Sequence, residues 1–171
     1  MLKKYKKILI VGDAGRGKST LAIELSKKLR IKSYATDDFF WKKKFSVRED
    51  RKQSMVNISK VYDQDKDSWI VEGSTRSLVE GGLAKAEIIV CLKYPNLITQ
   101  FWNLYQRNRT RDNESIIDLF KLYKHLILKK FKIGDQKNKL GIEEMIKKYN
   151  EKVVCLKSFA EVDDFRQSLE N

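Results

Sequence analysis

The sequence has few of the features that form disulfides, separate domains or cross membranes. It contains two cysteines and one proline in 171 residues, and no repeat or Gly/Ser-rich linker interrupts it. Two cysteines without nearby ligand partners indicate neither a disulfide framework nor a zinc site. No apolar run reaches the roughly 20 residues of a membrane span, and ILIVG near the start is too short for the core of a signal peptide. We therefore expect a single cytoplasmic domain over residues 1–171, with no membrane partner.

Acidic residues are the minority among the charged ones. The chain has 36 basic and 23 acidic residues, a formal net charge of +13, and such an excess favours polyanionic partners. The lysines of residues 121–152 are interpreted mainly as solvated helix faces. Arginine is more informative, because three arginines lie together in RNRTR. Clustered guanidinium groups are suited to bidentate binding of phosphate or carboxylate.

Apolar runs that alternate with amphipathic segments predict a doubly wound α/β fold. Five short runs rich in Ile and Val are interpreted as strands, namely KKILIVG, IKSYATDD, SWIVEG, AEIIVCL and KVVCLK. Continuous runs of this kind are typical of strands buried on both faces, so we expect a five-stranded parallel sheet flanked by helices. Ligands of such sheets bind beyond the carboxyl ends of the strands.

The stretch after the first strand carries the clearest chemistry. GDAGRGKS fits the pattern G-x-x-x-x-G-K-[ST] and lies between a predicted strand and a predicted helix. Its glycines let the backbone curl so that amide groups point inward and hold phosphate oxygens, and the helix N-terminus adds partial positive charge. Lys18 is expected to reach the β- and γ-phosphates and Ser19 to bind Mg²⁺, which predicts ATP and Mg²⁺ as cofactors. The predicted nucleotide-binding residues of this loop are Gly12, Asp13, Ala14, Gly15, Arg16, Gly17, Lys18, Ser19 and Thr20.

Acidic residues follow the second and third predicted strands, at the edge where the phosphate loop lies. Asp37 and Asp38 are candidates for activating an acceptor hydroxyl, binding substrate or holding a magnesium-bound water. The alternative is that they cap the following helix. Glu72 is expected to meet Mg²⁺ through water, while Gly73 permits close approach of a substrate and Arg76 holds its anionic group. An ordinary strand-to-loop turn is the alternative for this segment.

Three arginines follow the helix after the fourth strand. We interpret them as a short lid over the triphosphate, in which Arg107 and Arg111 neutralise charge on the transferred phosphoryl group and Arg109 contacts the nucleotide. The alternative is that these arginines cap the carbonyl groups at the helix end.

Two regions of the domain are predicted to contact the acceptor and to cover the nucleotide. An acceptor-binding insertion is predicted at about residues 39–66 and includes the substrate-binding candidate Arg51. The lid region is predicted at about residues 107–135. The remaining candidates for chemistry are interpreted as structural residues: Cys91, Cys155 and His125.

The order of these elements resembles that of the adenylate kinase-like P-loop kinases, which include shikimate and nucleoside kinases. IVEGSTR is similar to the Asp-Gly-x-x-Arg that follows the third strand of adenylate kinases, with Glu72 in place of the aspartate. AEIIVCLKYPNLITQFWNLYQRNRTR looks like the family's fourth strand, a proline-containing turn and the helix that enters the arginine lid. TDDFFW is similar to the second strand end of the nucleoside and shikimate branches. The chain looks closest to the bacterial branch of DNA topology modulation proteins, which have a tryptophan-rich helix beside the lid and a final segment similar to VVCLKSFAEVDDF.

Together these observations predict an ATP- and Mg²⁺-dependent kinase. Lys18 and the lid arginines are expected to stabilise the γ-phosphoryl group while Asp37 or Asp38 orients a small acceptor, which is a nucleoside, a nucleotide or a hydroxy compound. The alternative, suggested by the lysine surplus and by the name of the branch, is a nucleotide-binding regulator that associates with nucleic acid. The sequence leaves the acceptor and the oligomeric state open.

Overall fold

A five-stranded parallel sheet lies at the centre of the fold, which confirms the predicted class. The computed structural model describes residues 5–43, 47–63, 68–93, 96–110, 115–134 and 141–168. The strands in these residues are β1 (Lys7–Gly12), β2 (Ser33–Ala35), β3 (Trp41–Lys43), β4 (Val47–Arg48), β5 (Trp69–Gly73), β6 (Ile88–Leu92) and β7 (Val153–Leu156). Five of them form the sheet, in the spatial order β2-β5-β1-β6-β7, and β3 and β4 form a separate antiparallel pair.

Helices connect the parallel strands and cover both faces of the sheet. Those in the described residues are α1 (Lys18–Leu29), α2 (Thr36–Phe40), α3 (Arg51–Tyr62), α4 (Arg76–Lys85), α5 (Leu97–Arg109), α6 (Ile116–Lys130), α7 (Ile142–Ile146) and α8 (Phe159–Gln167), with a 3-10 segment over Lys147–Lys152. None of these described helices combines the length and the hydropathy that a membrane crossing requires.

Side chains of the central strand alternate between two apolar layers. Ile8 and Ile10 pack with α1 and α8 on one face of the sheet, and Leu9 and Val11 pack with α3, α4 and α7 on the other. All four are fully buried, as expected of a strand covered on both faces. Because β1 pairs with both β5 and β6, the loop that follows it lies at the middle of the sheet's carboxyl edge.

The two cysteines lie in neighbouring strands of the sheet, Cys91 buried and Cys155 half-buried. Cys91 in β6 pairs in register with Cys155 in β7, and both are free thiols. Burial raises the pKa of the Cys91 thiol to about 12, so this group is protonated and unreactive at neutral pH.

Three local features differ from the sequence-based expectation. The predicted strand IKSYATDD ends at Ala35, and Asp37 and Asp38 lie in the first turn of α2. β2 is an edge strand that pairs only with β5, so little pairing is lost when it ends early, and carboxylates are favourable near a helix N-terminus. α4, between the third and fourth sheet strands, was not predicted, nor was the antiparallel β3–β4 pair within residues 39–66.

The helices α5 and α6 pack against each other beside the loop after β1. Leu104 of α5 and Leu119 and Leu126 of α6 form a small apolar cluster of their own, against which Ala14 of that loop also packs. The predicted lid arginines Arg107 and Arg109 therefore lie in the last turn of a packed helix, while Arg111 lies outside the described residues. An arginine lid stays a prediction.

Candidate active site

The loop between β1 and α1 has the backbone conformation of an anion cradle. Gly15 and Gly17 both have φ of 78°, in the left-handed region that side-chain-bearing residues rarely adopt. The helix α1 begins at Lys18, directly after this loop, and no side chain caps its first turn. Its first amide groups are therefore available to an anion, and the helix dipole favours negative charge at this position.

A buried lysine faces the interior of this loop. Lys18 is 8% exposed, and its Nζ donates a hydrogen bond to the carbonyl oxygen of Asp13 at 3.0 Å. Burial lowers the pKa of Lys18, Glu72 and Asp37 oppose that shift, and Arg107 adds to it. A phosphate bound beside this ammonium group would favour its charged form and so raise its pKa.

The two predicted metal ligands are in direct contact. Ser19 Oγ donates a hydrogen bond to Glu72 Oε1 at 2.6 Å. Glu72 is the second-to-last residue of β5 and pairs in register with Ile10 of β1, so the sheet itself carries the carboxylate to the start of α1. A hydroxyl and a carboxylate side by side next to a phosphate cradle form an oxygen donor set that suits Mg²⁺.

The structure distinguishes the two acids of TDDFFW. Asp37 is half-buried and lines the same cavity as Lys18, whereas Asp38 is exposed and lies outside that lining. Adjacent residues on a helix point in different directions, so only one of the pair can face the cavity. The structure thus brings Asp37, and not Asp38, to the phosphate loop.

The position of Asp37 depends on a close contact one residue earlier. Thr36 is fully buried against the end of β5, and a Cβ added at Gly73 would lie only 2.0 Å from Thr36 Oγ1. Gly73 is expected from the sequence to permit close approach of a substrate. In the structure, the neighbour that approaches it is the first residue of α2.

Helix α5 lies directly on the phosphate loop and holds its outer carbonyl groups. The side-chain amide of Gln100 donates to the carbonyl oxygen of Ala14, and Asn103 Nδ2 donates to that of Gly15 at 3.3 Å. Gln100, Asn103 and Arg107 lie along one side of the helix, since the steps of three and four residues match its turns. Arg107 therefore lines the cavity, one turn beyond Asn103.

Helix α6 contacts the loop through an ion pair. Lys129 pairs with the carboxylate of Asp13, which also lies 3.2 Å from Arg16 NH2. Burial by itself raises the pKa of Asp13, but Lys129 and Arg16 outweigh it, so the pKa lies below the usual aspartate value. The second guanidinium nitrogen of Arg16 donates to the Leu92 carbonyl oxygen at 2.8 Å. The Arg16 side chain thus ties the loop to the end of β6.

The predicted residues fall into groups when they are mapped onto the two cavities at this edge. The smaller cavity has a volume of about 350 Å³. The predicted residues that line it are Ala14, Gly15, Gly17, Lys18, Ser19, Thr20, Asp37, Glu72, Gly73 and Arg107. A larger cleft of about 1140 Å³ adjoins it at Ser74 and is bordered by the predicted residues Gly12, Asp13, Arg16 and Arg76. The exposed residues Asp38, Arg51 and Arg109 line neither cavity.

Sequence reasoning missed three residues that hold the loop, namely Gln100, Asn103 and Lys129. For the first two a signal was present, since they precede Arg107 by seven and four residues on one helix face. For Lys129 no local signal exists, because it is one lysine among many and its partner lies 116 positions earlier in the chain.

Comparison with solved structures identifies the fold. The chain is similar to the shikimate kinase from Acinetobacter baumannii in complex with shikimate, at 14% identity and a TM-score of 0.56, covering 99% of this chain and 93% of that one. The fold is that of the P-loop kinases. It is also similar to the Bacteroides thetaiotaomicron shikimate kinase (11% identity, 97% and 96% coverage, TM-score 0.52) and to a Sinorhizobium meliloti gluconokinase (10%, 96% and 95%, 0.51). No protein-family model and no curated protein matches the chain. At these identities the P-loop kinase likeness concerns the fold, and the chemistry has to be argued from the site.

Proposed function

We propose that the protein is an ATP- and Mg²⁺-dependent phosphotransferase that acts on a small acceptor. One observation carries the proposal: Lys18, the Ser19–Glu72 pair, Asp37 and Arg107, contributed by four different elements, converge on one 350 Å³ cavity at the uncapped start of α1. A turn that only connects a strand to a helix does not require a buried lysine, two carboxylates and a guanidinium group around the same cavity.

The residues divide the chemical tasks among them. The loop amides and Lys18 bind and orient the β- and γ-phosphates, while Arg107 neutralises charge that develops on the transferred group. Ser19 and Glu72 would hold Mg²⁺, which would neutralise negative charge on the phosphate groups. Positioning and charge compensation of this kind make up most of the catalysis of phosphoryl transfer.

Asp37 makes a hydroxyl the favoured acceptor group. As the acceptor oxygen forms its bond to the γ-phosphorus, the bond to the β-γ bridging oxygen breaks and the hydroxyl proton passes to the Asp37 carboxylate. An acceptor that reacts through its own phosphate would place a second anion beside this carboxylate. We therefore favour a nucleoside or a hydroxy compound over a nucleotide acceptor.

An acceptor screen tests the proposal. ATP consumption is measured with nucleosides, nucleotides and small hydroxy acids, and one acceptor is expected to give turnover well above the rate with water. With that acceptor Lys18→Ala abolishes turnover, whereas Lys27→Ala, an exposed lysine on the same helix, leaves it unchanged. Nucleotide binding without turnover on any acceptor would favour the regulator reading instead.

The two aspartates provide a matched pair for the catalytic step. Asp37→Asn is expected to lower kcat by about 10²–10⁴-fold, the usual contribution of a general base, with little effect on ATP binding. Asp38→Asn removes the same charge one residue away, from a side chain outside the cavity, and is expected to leave kcat unchanged. Equal losses in the two variants would contradict the role of Asp37.

A further inference from the structure

Helices α5 and α6 carry large apolar side chains that are exposed among the residues that the structure describes. On α5, Ile98 is 82% exposed and Trp102 is 58% exposed, and on α6 Phe120 is 64% exposed. The α5 residues lie on the side of the helix opposite Gln100 and Arg107, as their helical spacing requires. We define the α5–α6 apolar surface by its six exposed residues: Ile98, Trp102, Tyr105, Ile116, Phe120 and Ile127.

Ring contacts join the two helices beneath this surface. Phe101 of α5 stacks on Tyr123 of α6 with ring centroids 4.4 Å apart, and Tyr123 meets Phe120 edge-on at 6.2 Å. On α5, the rings of Trp102 and Tyr105 lie 5.8 Å apart. Aromatic pairs at these distances attract each other. Burial and the neighbouring Tyr105 raise the pKa of Tyr123, so Tyr105 lies close to Tyr123 and links the rings of α5 to those of α6.

The helix α6 has more apolar surface than its packing in this chain requires. Leu119 and Leu126 already supply a buried stripe, and one such stripe is what a surface helix of a globular protein needs. Ile116, Phe120 and Ile127 lie about a quarter of a turn round the helix from that stripe and are exposed. Large connected apolar areas on a protein surface mark contacts with a partner.

The charges around this surface are almost all positive. Apart from the two basic residues that face the phosphate loop, these helices carry four, Arg109, Lys121, Lys124 and Lys130, and one acid, Asp118, which pairs with Lys121 at 3.0 Å. Arg109 and Lys124 are exposed beside the apolar residues. The complementary partner is therefore negatively charged as well as apolar, in keeping with the net charge of +13.

A lipid bilayer with anionic headgroups matches both properties. Isoleucines gain nothing from stacking on nucleic acid bases, but they bury well in the acyl boundary of a bilayer. Tryptophan and tyrosine favour the headgroup level, and lysines are attracted to anionic lipid. A second copy of this chain would bring the same positive charges together.

We propose that the α5–α6 apolar surface docks the protein peripherally on anionic lipid membranes. The expectation from the sequence, that no membrane partner exists, rested on the lack of spanning runs, and a surface contact needs none. The proposal is independent of the phosphotransferase function, because the surface lies on the far side of α5 from the phosphate cavity.

Vesicle sedimentation tests this proposal with the full chain. The protein is expected to sediment with vesicles of phosphatidylcholine and phosphatidylglycerol, to stay in solution with phosphatidylcholine alone, and to bind less as salt rises. The double variant Ile98→Ser/Phe120→Ser is expected to lose about a hundredfold in partition coefficient. Lys121→Glu/Lys124→Glu is expected to lose at least about thirtyfold.

Matched controls separate this surface from general stickiness. Ile23→Ser/Val56→Ser removes two half-exposed apolar side chains from α1 and α3 and is expected to bind vesicles like the unaltered protein. The docking proposal is overturned if both lipid mixtures bind equally, or if Ile98→Ser/Phe120→Ser binds like the unaltered chain. It is also overturned if the unaltered protein binds no vesicles and forms a dimer in size-exclusion chromatography that Ile98→Ser/Phe120→Ser disrupts. The same holds if that variant loses binding to single-stranded DNA and not binding to vesicles.

Discussion

A single added methyl group at Gly73 tests how the fold positions Asp37. The Cβ of Gly73→Ala would lie 2.0 Å from Thr36 Oγ1, 2.4 Å from Cγ2 and 2.7 Å from Cβ. Rotation of the threonine cannot relieve all three contacts, because its Cβ moves only with the backbone. Thr36 is fully buried and begins α2, so the helix itself must shift, and Asp37 shifts with it.

The magnitude follows from the cost of overpacking a tight site. Inserting a methyl into a packed interior costs about 1–3 kcal/mol, and contacts this short favour the upper part of that range. For a chain of this size about 2–3 kcal/mol lowers Tm by roughly 5–10 °C. If Asp37 orients the acceptor, a displacement of about 1 Å also lowers kcat by roughly 100-fold. Thermal unfolding and single-acceptor kinetics measure the two effects separately.

Two further variants make the Gly73 test decisive. Gly81→Ala is the matched control, because its Cβ would meet only the Tyr62 ring at 3.5 Å in an exposed helical position, and alanine there is expected to stabilise the protein by about 1 kcal/mol. Thr36→Gly removes all three clashing atoms, so the cost of Gly73→Ala should fall by at least about 1 kcal/mol in that background. A Gly73→Ala protein that keeps both Tm and kcat would refute the reasoning.

Three other predictions concern the contacts of the phosphate loop. Gln100→Leu removes the side chain that donates to the Ala14 carbonyl oxygen. We therefore expect the free energy of unfolding to fall by about 1–3 kcal/mol and the KM for ATP to rise. Gln106→Leu, at an exposed position of the same helix, is the control and should change neither. Asp13→Asn removes the partner of Lys129. Because the folded-state pKa of Asp13 is lowered, its stabilisation is present at neutral pH and is lost as pH falls below about 4. In chemical denaturation, the free energies of unfolding of the unaltered protein and of Asp13→Asn should therefore converge below that pH. A constant difference between them would contradict the ion pair. Glu72→Gln should raise the Mg²⁺ concentration for half-maximal turnover by about 10–100-fold, while Glu80→Gln, exposed on α4, should not change it.

Local patterns were sufficient for the main features of the fold. The alternation of Ile/Val runs with amphipathic segments predicted the five parallel strands, because a strand covered on both faces must be apolar along its whole length. The phosphate loop was predicted for a similar reason, since the spacing of its glycines, lysine and serine is a property of one short segment. The end of β2 was not predictable in this way, because it depends on the contact between Thr36 and Gly73, which are distant in the chain.

The sequence by itself determined which residue types meet at the sheet's carboxyl edge, because the topology of a parallel sheet brings all its strand ends there. Only the tertiary structure decided which of them face one another. The rotation of α2 turns Asp37 inward and Asp38 outward, and the seating of α5 on the loop brings Arg107 to the cavity while leaving Arg109 exposed. Lys129 reaches Asp13 only because α6 packs beside α5. The direction of a side chain depends on how its helix is rotated and packed, and that is set by contacts between segments far apart in the chain.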